Sequence, residues 1–138
     1  MPMRLLIVLV LLLSMAPTAR ADHHENSMPA KLALENLMRA SLEGVEDTEV
    51  IVSRVTIPPN TELPRHWHPG EEFAYVVSGS VTLWQEGEED VTMPAGGVGK
   101  VPLRKVHTAI TGDEGCELIV FRVHANGEPE RVLVEEGR

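Results

Sequence analysis

Residues 66–79 read HWHPGEEFAYVVSG and combine two histidines, a carboxylate and two turn signals in one short stretch. Side chains two positions apart in an extended strand point to the same face, so the imidazoles of His66 and His68 should converge. The Pro-Gly pair that follows is typical of a turn, and a turn here would bring Glu72 back beside the two rings. The pattern predicts a metal site built on one hairpin, whose apolar strand ends at a second turn, Ser78-Gly79.

Imidazole and carboxylate donors suit a divalent first-row transition ion such as iron, manganese, nickel, copper or zinc, and suit Ca²⁺ or Mg²⁺ poorly. A fourth protein ligand should come from elsewhere in the chain, and His107, on the strand pattern at 105–111, is the best placed. The alternative is a pair of exposed histidines with an unrelated glutamate, which the added spacing of Glu72 and the later histidine disfavour. The sequence does not choose among these metals.

The stretch resembles the first conserved motif of the cupin superfamily, H-x-H-x3-E-x6-G, which is matched by His66, His68, Glu72 and Gly79. The resemblance covers roughly residues 49–124 and is to the small, single-domain, quercetin-dioxygenase-like cupins. It implies an all-β fold, a small antiparallel β-barrel or double-stranded β-helix of jelly-roll type. It also implies one metal ion bound by the matched histidines and glutamate together with His107, and a possible homodimer.

A second cupin motif, G-x5-P-x-G-x2-H-x3-N, is met by Gly96, Pro102 and His107. Two positions depart from it, because Arg104 stands where a glycine is usual and Thr111 where an asparagine is usual. Glycine often supplies a positive φ in such a turn at no steric cost. The metal ligands are therefore intact, whereas the turn before His107 has altered chemistry.

Residues 1–21 have the features of a signal peptide: Arg4, an apolar run at 5–15 and the small-x-small pattern Ala19-Arg20-Ala21. The apolar run of about eleven residues is shorter than the roughly twenty that span a bilayer. We therefore expect an exported protein, periplasmic or secreted, with no membrane association after signal cleavage. Its first residue would be Asp22.

Removal of 21 of the 138 residues leaves 117, which suits one domain. We expect a tail and cover segment at 22–48, a barrel domain at 49–124 and a C-terminal tail at 125–138. The leader holds two of the 12 basic residues and none of the 21 acidic ones, so the remaining chain has a net charge of −11. That balance argues against nucleic acid as a partner.

Short apolar patterns separated by Gly and Pro predict an all-β sandwich or closed barrel. Residues 49–57 alternate as a strand, 80–85 should form the return strand of a hairpin, and 116–124 should form the last long strand. The leucines of 29–42 are close to helical spacing and predict a short helix or irregular cover. An edge strand is possible at 131–134.

If Glu72 faces inward, Ala74 and Val76 do as well, while Phe73 and Tyr75 face outward. This predicts a small apolar cavity for a small-molecule substrate. Glu72 has two possible roles, as a permanent metal ligand or as a catalytic carboxylate that takes a proton from the substrate.

Arg65, Arg104 and Lys105 lie near the ligands in sequence and are candidates for attracting an anionic substrate, although basic residues at strand ends are usually solvated. His124 is a candidate for supporting the ligands, but an exposed histidine at a strand end is the preferred interpretation. Cys116 cannot form an internal disulfide because it is the only cysteine. Its apolar strand context predicts a buried residue rather than a nucleophile.

Cleavage after Ala21 would expose Asp22-His23-His24, in which a free amine and a histidine at position three can chelate Cu(II) or Ni(II). A solvated tail is the alternative interpretation of this start. The hypothesis depends wholly on the cleavage site.

Three classes of function fit the predicted site. The preferred one is a metal-dependent, dioxygenase-like oxidoreductase acting on a small bidentate enol or catechol-type substrate. The second is a metal-dependent lyase or isomerase with Glu72 or a nearby tyrosine as base. The third is a non-catalytic protein that binds a metal or a small ligand.

Overall fold

The computed structural model describes residues 31–134, and every regular element within them is a β-strand. This confirms the predicted all-β class. No helix among these residues is long and apolar enough to cross a membrane. The predicted signal peptide and the Asp22-His23-His24 hypothesis lie outside the described residues.

The strands are β1 (Ala33–Ser41), β2 (Thr48–Ile57), β3 (His66–Trp67), β4 (Gly70–Gln85), β5 (Val91–Pro94), β6 (Val98–Val101), β7 (His107–Ile110), β8 (Cys116–Ala125) and β9 (Val132–Leu133).

The strands form one curled antiparallel sheet in the order β1-β2-β8-β4-β7-β3-β9. Strands β5 and β6 lie off this path and both pair with β4. The first half of β4 pairs with β8 and β6, and its second half pairs with β5 and β7. The sheet folds over itself around β4, as in a jelly roll, which is the predicted architecture.

The predicted hairpin at Ser78-Gly79 is wrong, because these residues lie within strand β4. The chain does not reverse there but continues as one strand from Gly70 to Gln85, with a shift in its pairing to β8 between Val76 and Ser78. Gly79 has a φ of 70° and lies so close to the Gly115 carbonyl that a Cβ would overlap it. A bulge and a glycine therefore bend the strand from one half of the sheet into the other without ending it.

The core lies between the two halves of the curled sheet. Its buried residues come from β2, β4, β5 and β8 and are Val55, Ile57, Val76, Val81, Met93, Cys116, Leu118 and Val120. In β8, and in β2 except at the buried Val52, the buried positions alternate with exposed or half-buried ones, as the sequence of 49–57 predicts for β2. Burial raises the pKa of the Cys116 thiol to about 11, which agrees with a buried residue that is not a nucleophile.

Residues 33–41 form the edge strand β1, so the helical interpretation of this segment is wrong. Its pairing with β2 shifts between Asn36 and Met38, which leaves Leu37 as an extra residue in the ladder. The shift breaks the period of two, and the leucines consequently have a spacing that resembles a helix.

The C-terminal edge strand is confirmed, because β9 pairs with β3 through Trp67 and Val132. With β1 and β9 the sheet extends beyond the predicted 49–124 domain at both ends. The outer face of β4 carries Phe73 and Tyr75, which are exposed as predicted, and the neighbouring strand adds Phe121.

The turn before His107 keeps its shape despite the two departures from the second motif. Arg104 adopts a φ of 57°, its N–H donates to the His68 carbonyl at 3.0 Å, and its guanidinium lies 5.8 Å from the Trp67 ring centre. Thr111 is buried, and its hydroxyl donates to the Pro58 carbonyl at 2.6 Å. A hydroxyl thus anchors the end of β7 where the motif usually has an amide.

The positive φ of Arg104 predicts a difference between two substitutions. Arg104→Gly should have a free energy of unfolding about 1 kcal/mol higher than Arg104→Ala, because glycine adopts this conformation without a Cβ clash. Both variants lose the arginine side chain over Trp67, so the comparison isolates the backbone. Urea denaturation of the two variants measures the difference, and equal stabilities would contradict it.

Candidate metal centre

Three buried histidines converge at one end of the curled sheet. His66 on β3 pairs directly with His107 on β7, and His68 follows β3. One ring nitrogen from each of the three lies within 4.8 Å of the others. The ring centres are 4.9 Å apart for His66 and His68, 4.4 Å for His66 and His107, and 5.1 Å for His68 and His107. The three sequence-predicted histidines are therefore brought together.

A backbone carbonyl orients each of these rings. His66 Nδ1 lies 2.8 Å from the Pro64 oxygen, His107 Nδ1 lies 2.9 Å from the Lys105 oxygen, and His68 Nδ1 lies 2.5 Å from the Glu130 oxygen. A carbonyl can only accept, so Nδ1 carries the proton in all three rings. Nε2 is then the atom available to a ligand, as in histidines that bind metals.

Glu72 lies beside the histidines, as predicted, but by a different route. Strand β3 pairs with β7 and β9 rather than with β4, so the motif does not form a hairpin. Glu72 Oε2 is 2.9 Å from His68 Nε2, and Oε1 is 3.9 Å from His107 Nε2. Burial by itself raises the pKa of Glu72, but His68, His107 and Arg122 outweigh it and hold the pKa below its usual range. The carboxylate is therefore ionised at neutral pH.

The donor set fits a transition ion. Burial lowers the pKa of His66 to about 4 and also lowers the pKa of His107, so both rings are neutral at pH 7. His68 Nε2 is buried and has no aligned hydrogen bond among residues 31–134, despite its short distance to Glu72. A buried nitrogen without a partner is costly, and a metal ion at this point would satisfy it.

A cavity of about 510 Å³ extends from the histidines into the sheet. Most of its wall is aliphatic and includes Ala74 on β4 and Val120 on β8. Val76, predicted beside Ala74 in the cavity lining, is instead fully buried in the core. Besides the three histidines and Glu72, the only charged residues that line the cavity within the described chain are Arg122, Glu130 and Arg131.

The three basic residues proposed from sequence to attract an anion are engaged elsewhere. The Arg65 guanidinium lies 4.2 Å from the Trp84 ring centre, and Lys105 forms an ion pair of 2.8 Å with Glu88. Neither these residues nor Arg104 lines the cavity.

Sequence reasoning missed Arg122, which is buried in the cavity wall. The alternation of β8 contained the signal, because Leu118, Val120 and Arg122 fall on one side of the strand.

His124 is buried rather than exposed, so the preferred interpretation of this residue is wrong. Its Nδ1 lies 2.9 Å from the Ala125 oxygen, and its Nε2 lies 3.9 Å from Glu49. It does not line the cavity. Tyr75, the only tyrosine of the chain, is exposed on the outer face of β4, and the proposed tyrosine base is therefore not at this site.

The family model for the cupin domain matches residues 53–122, just over half of the chain, and this protein therefore belongs to the cupin family. The match includes both histidine-bearing segments and most of the cavity wall. A comparison with curated proteins found no significant match.

Solved structures share the fold at low identity. The DMSP lyase DddQ from Ruegeria pomeroyi has a TM-score of 0.64 and 24% identity, over 78% of this chain and 54% of that one. A cupin-like protein from Thermotoga maritima has a TM-score of 0.56 and 21% identity, over 73% and 74% of the two chains. Oxalate decarboxylase from Bacillus subtilis has a TM-score of 0.55 and 17% identity, over 70% and 27%. The chain spans about half the length of the DMSP lyases that it matches.

Proposed function

We propose that this protein is a metal-dependent enzyme that acts with O₂ on a small bidentate enol or catechol-type substrate. His66, His68, Glu72 and His107 would hold one divalent transition ion. The observation that carries the proposal is the convergence of three carbonyl-oriented imidazoles and an ionised carboxylate at the end of an apolar cavity.

Each donor residue has the form that a transition ion requires. The rings present Nε2, and Glu72 presents two carboxylate oxygens, Oε2 beside His68 and Oε1 toward His107. Three nitrogens and one oxygen suit an ion of octahedral preference and would leave about two positions for substrate or O₂. A bound ion would supply Lewis-acid polarisation and, if redox-active, oxygen chemistry.

The cavity wall supports an oxygenase over a reaction that needs several proton transfers. No tyrosine, lysine, serine, threonine or cysteine of residues 31–134 lines it, and its histidines are the three donors. Glu72 and Glu130 are the two carboxylates in the described lining, and Glu72, which lies beside the donor histidines, is the one we propose to accept a proton from a bound substrate. The aliphatic wall leaves room for a small organic molecule.

A lyase or isomerase is the second candidate, and the ionised state of Glu72 favours it. A buried carboxylate with a lowered pKa next to the donor histidines can act as a base on an acidic C–H or O–H of a substrate. DddQ, which shares the fold, is a lyase. A binding protein without activity would retain the metal and show no turnover.

Export of the protein is part of the same proposal. The charged start, apolar run and small-x-small pattern of residues 1–21 support removal of this segment during export. Intact-mass measurement of the mature protein tests it, and any first residue other than Asp22 would contradict this cleavage site and the copper or nickel hypothesis.

Removal of a histidine should release the metal. His66→Ala and His107→Ala are expected to lose most of the bound metal and to melt at a lower temperature than the wild-type protein, since metal binding adds to the folding free energy. Elemental analysis and thermal unfolding check this. The thermal difference should disappear in wild-type and variant proteins treated with a chelator. Full metal content in both variants would refute the ligand assignment.

Glu72 and Glu71 form a matched pair of carboxylates. Glu72→Gln should weaken metal binding roughly tenfold to a hundredfold, because the amide carries no charge toward the ion. Glu71 points outward and forms an ion pair of 2.6 Å with Lys100, so Glu71→Gln should bind metal as the wild type does. Competition with a coloured chelator measures both affinities, and equal losses in the two variants would argue against a role for Glu72 as ligand.

Oxygen uptake distinguishes the candidate reactions. Protein loaded in turn with Fe, Mn, Ni, Cu or Zn is supplied with a panel of flavonols and β-diketones. An oxygenase should consume O₂ only with a redox-active metal and lose this activity in His107→Ala. Turnover with proton release but without O₂ would identify a lyase or isomerase. Ligand-dependent stabilisation without turnover for the whole panel would identify a binding protein.

A further inference from the structure

Arg122 is a buried cation in the cavity that the proposed metal site does not use. Only 2% of the residue is exposed, yet it lines the cavity. It lies on β8 directly opposite Glu72 on β4. Residues opposite one another in an antiparallel pair share a face, with Cβ atoms about 5 Å apart. The guanidinium and the proposed metal ligand therefore occupy the same side of the same strand pair.

The guanidinium retains hydrogen-bonding capacity. One Nη donates to the Ser53 hydroxyl at 2.6 Å, and the other lies 3.3 Å from Glu130 Oε2. Nε has no partner among residues 31–134. Arginine carries five N–H donors, and a carboxylate can accept from two of them at once. An unpaired buried N–H is costly, which makes Arg122 a ready binding group for an anion.

Glu130 does not fully neutralise Arg122. Its other oxygen, Oε1, accepts from Arg39 at 2.6 Å and from Asn36 at 2.9 Å, both outside the cavity wall. Its contact with Arg122 is the longest of the three. The carboxylate of Glu130 is therefore held chiefly by β1, and Arg122 keeps positive charge for a ligand.

The cavity wall carries equal numbers of acidic and basic side chains. Two carboxylates, Glu72 and Glu130, line it with two guanidiniums, Arg122 and Arg131, and histidines that bind a metal ion must be neutral. A divalent cation would therefore leave an excess of two positive charges in an apolar enclosure. An anionic substrate reduces that excess, whereas a neutral one does not.

We propose that Arg122 binds the carboxylate of the substrate and that the substrate is a small carboxylic acid with a further oxygen donor for the metal. This inference rests on the proposed metal-dependent function and narrows its substrate class. Arg122 acts as a specificity residue that anchors one end of the substrate. The other end then lies toward Glu72 and the histidines.

Malonate and its neutral diamide, malonamide, are suitable probes because the diamide keeps two oxygen donors but carries no carboxylate. Calorimetric titration of metal-loaded protein should give a preference for malonate that falls at least about tenfold in Arg122→Met, since a charge-assisted pair is lost. Arg54→Met is the matched control, because it removes a guanidinium that pairs with Glu35 and Glu117 outside both the cavity wall and the contacts of Glu130. It should keep the wild-type preference. An unchanged preference in Arg122→Met would overturn the proposal.

A measurement on the wild-type protein covers the case in which Arg122→Met fails to fold. The ¹H–¹⁵N resonance of the Arg122 side-chain Nε should shift on addition of malonate and remain in place with malonamide. A purely structural arginine would respond to neither probe, and that result would overturn the proposal.

Metal content, measured in every sample, separates this inference from the function on which it rests. A wild-type protein without metal would refute the metal-dependent function. Carboxylate binding by Arg122 would then be tested on the metal-free protein by the same two measurements, the ligand preference in the titrations and the shift of the Nε resonance. Bound metal without any effect of Arg122 would refute the carboxylate assignment alone.

Discussion

The backbone pairing of β4 is the constraint on which the rest of the structure depends. This strand pairs with β8 and β6 in its first half and with β5 and β7 in its second. The bulge after Val76 and the positive φ of Gly79 let it pass from one half of the sheet to the other. Its inward side then contributes Glu72 to the site and Val76 to the core, so that one strand links the chemistry to the packing.

Side-chain alternation explains why polar and charged groups gather inside an aliphatic enclosure. On β8, the same inward row runs from Leu118 and Val120 in the core to Arg122 in the cavity wall and His124 beyond it. Burial alone would disfavour the charge on Glu72, yet nearby imidazoles and the guanidinium across the strand pair keep it ionised. Opposite charges can therefore remain buried together in the cavity wall, whereas an isolated buried charge would be strongly destabilising.

The sequence was informative where chemistry and periodicity agreed. The histidine spacing, Glu72 and the later His107 predicted a cluster that the structure brings together, and the alternation of 49–57 predicted the inward side of β2. The sequence was misleading where an irregularity interrupted the two-residue alternation of a strand. The bulge at Leu37 gave a strand the spacing of a helix, and glycine at 79 suggested a turn where the strand only bends.

A local sequence pattern could not predict which distant strands pair with one another. Nothing near residue 66 indicates that β3 pairs with β7 and β9 rather than with β4. Arg122 and His124 lie on the inward side of β8. Arg122 was overlooked and His124 was expected to be exposed, because polar residues at strand ends are more often solvated. Arg104 shows the opposite case, since a residue unfavourable for its turn still adopts the required φ.

Because Glu130 contacts His68, the candidate site is completed only after residue 130 has been synthesised. The four proposed donor residues have all been synthesised by residue 107, but the carbonyl that orients His68 lies 62 residues after that histidine. The same residue reaches Arg39 on the first strand through its side chain. A nascent chain therefore contains the proposed donors before it can orient His68, and the segment around Glu130 must pack against β1 and β3 before the site is complete.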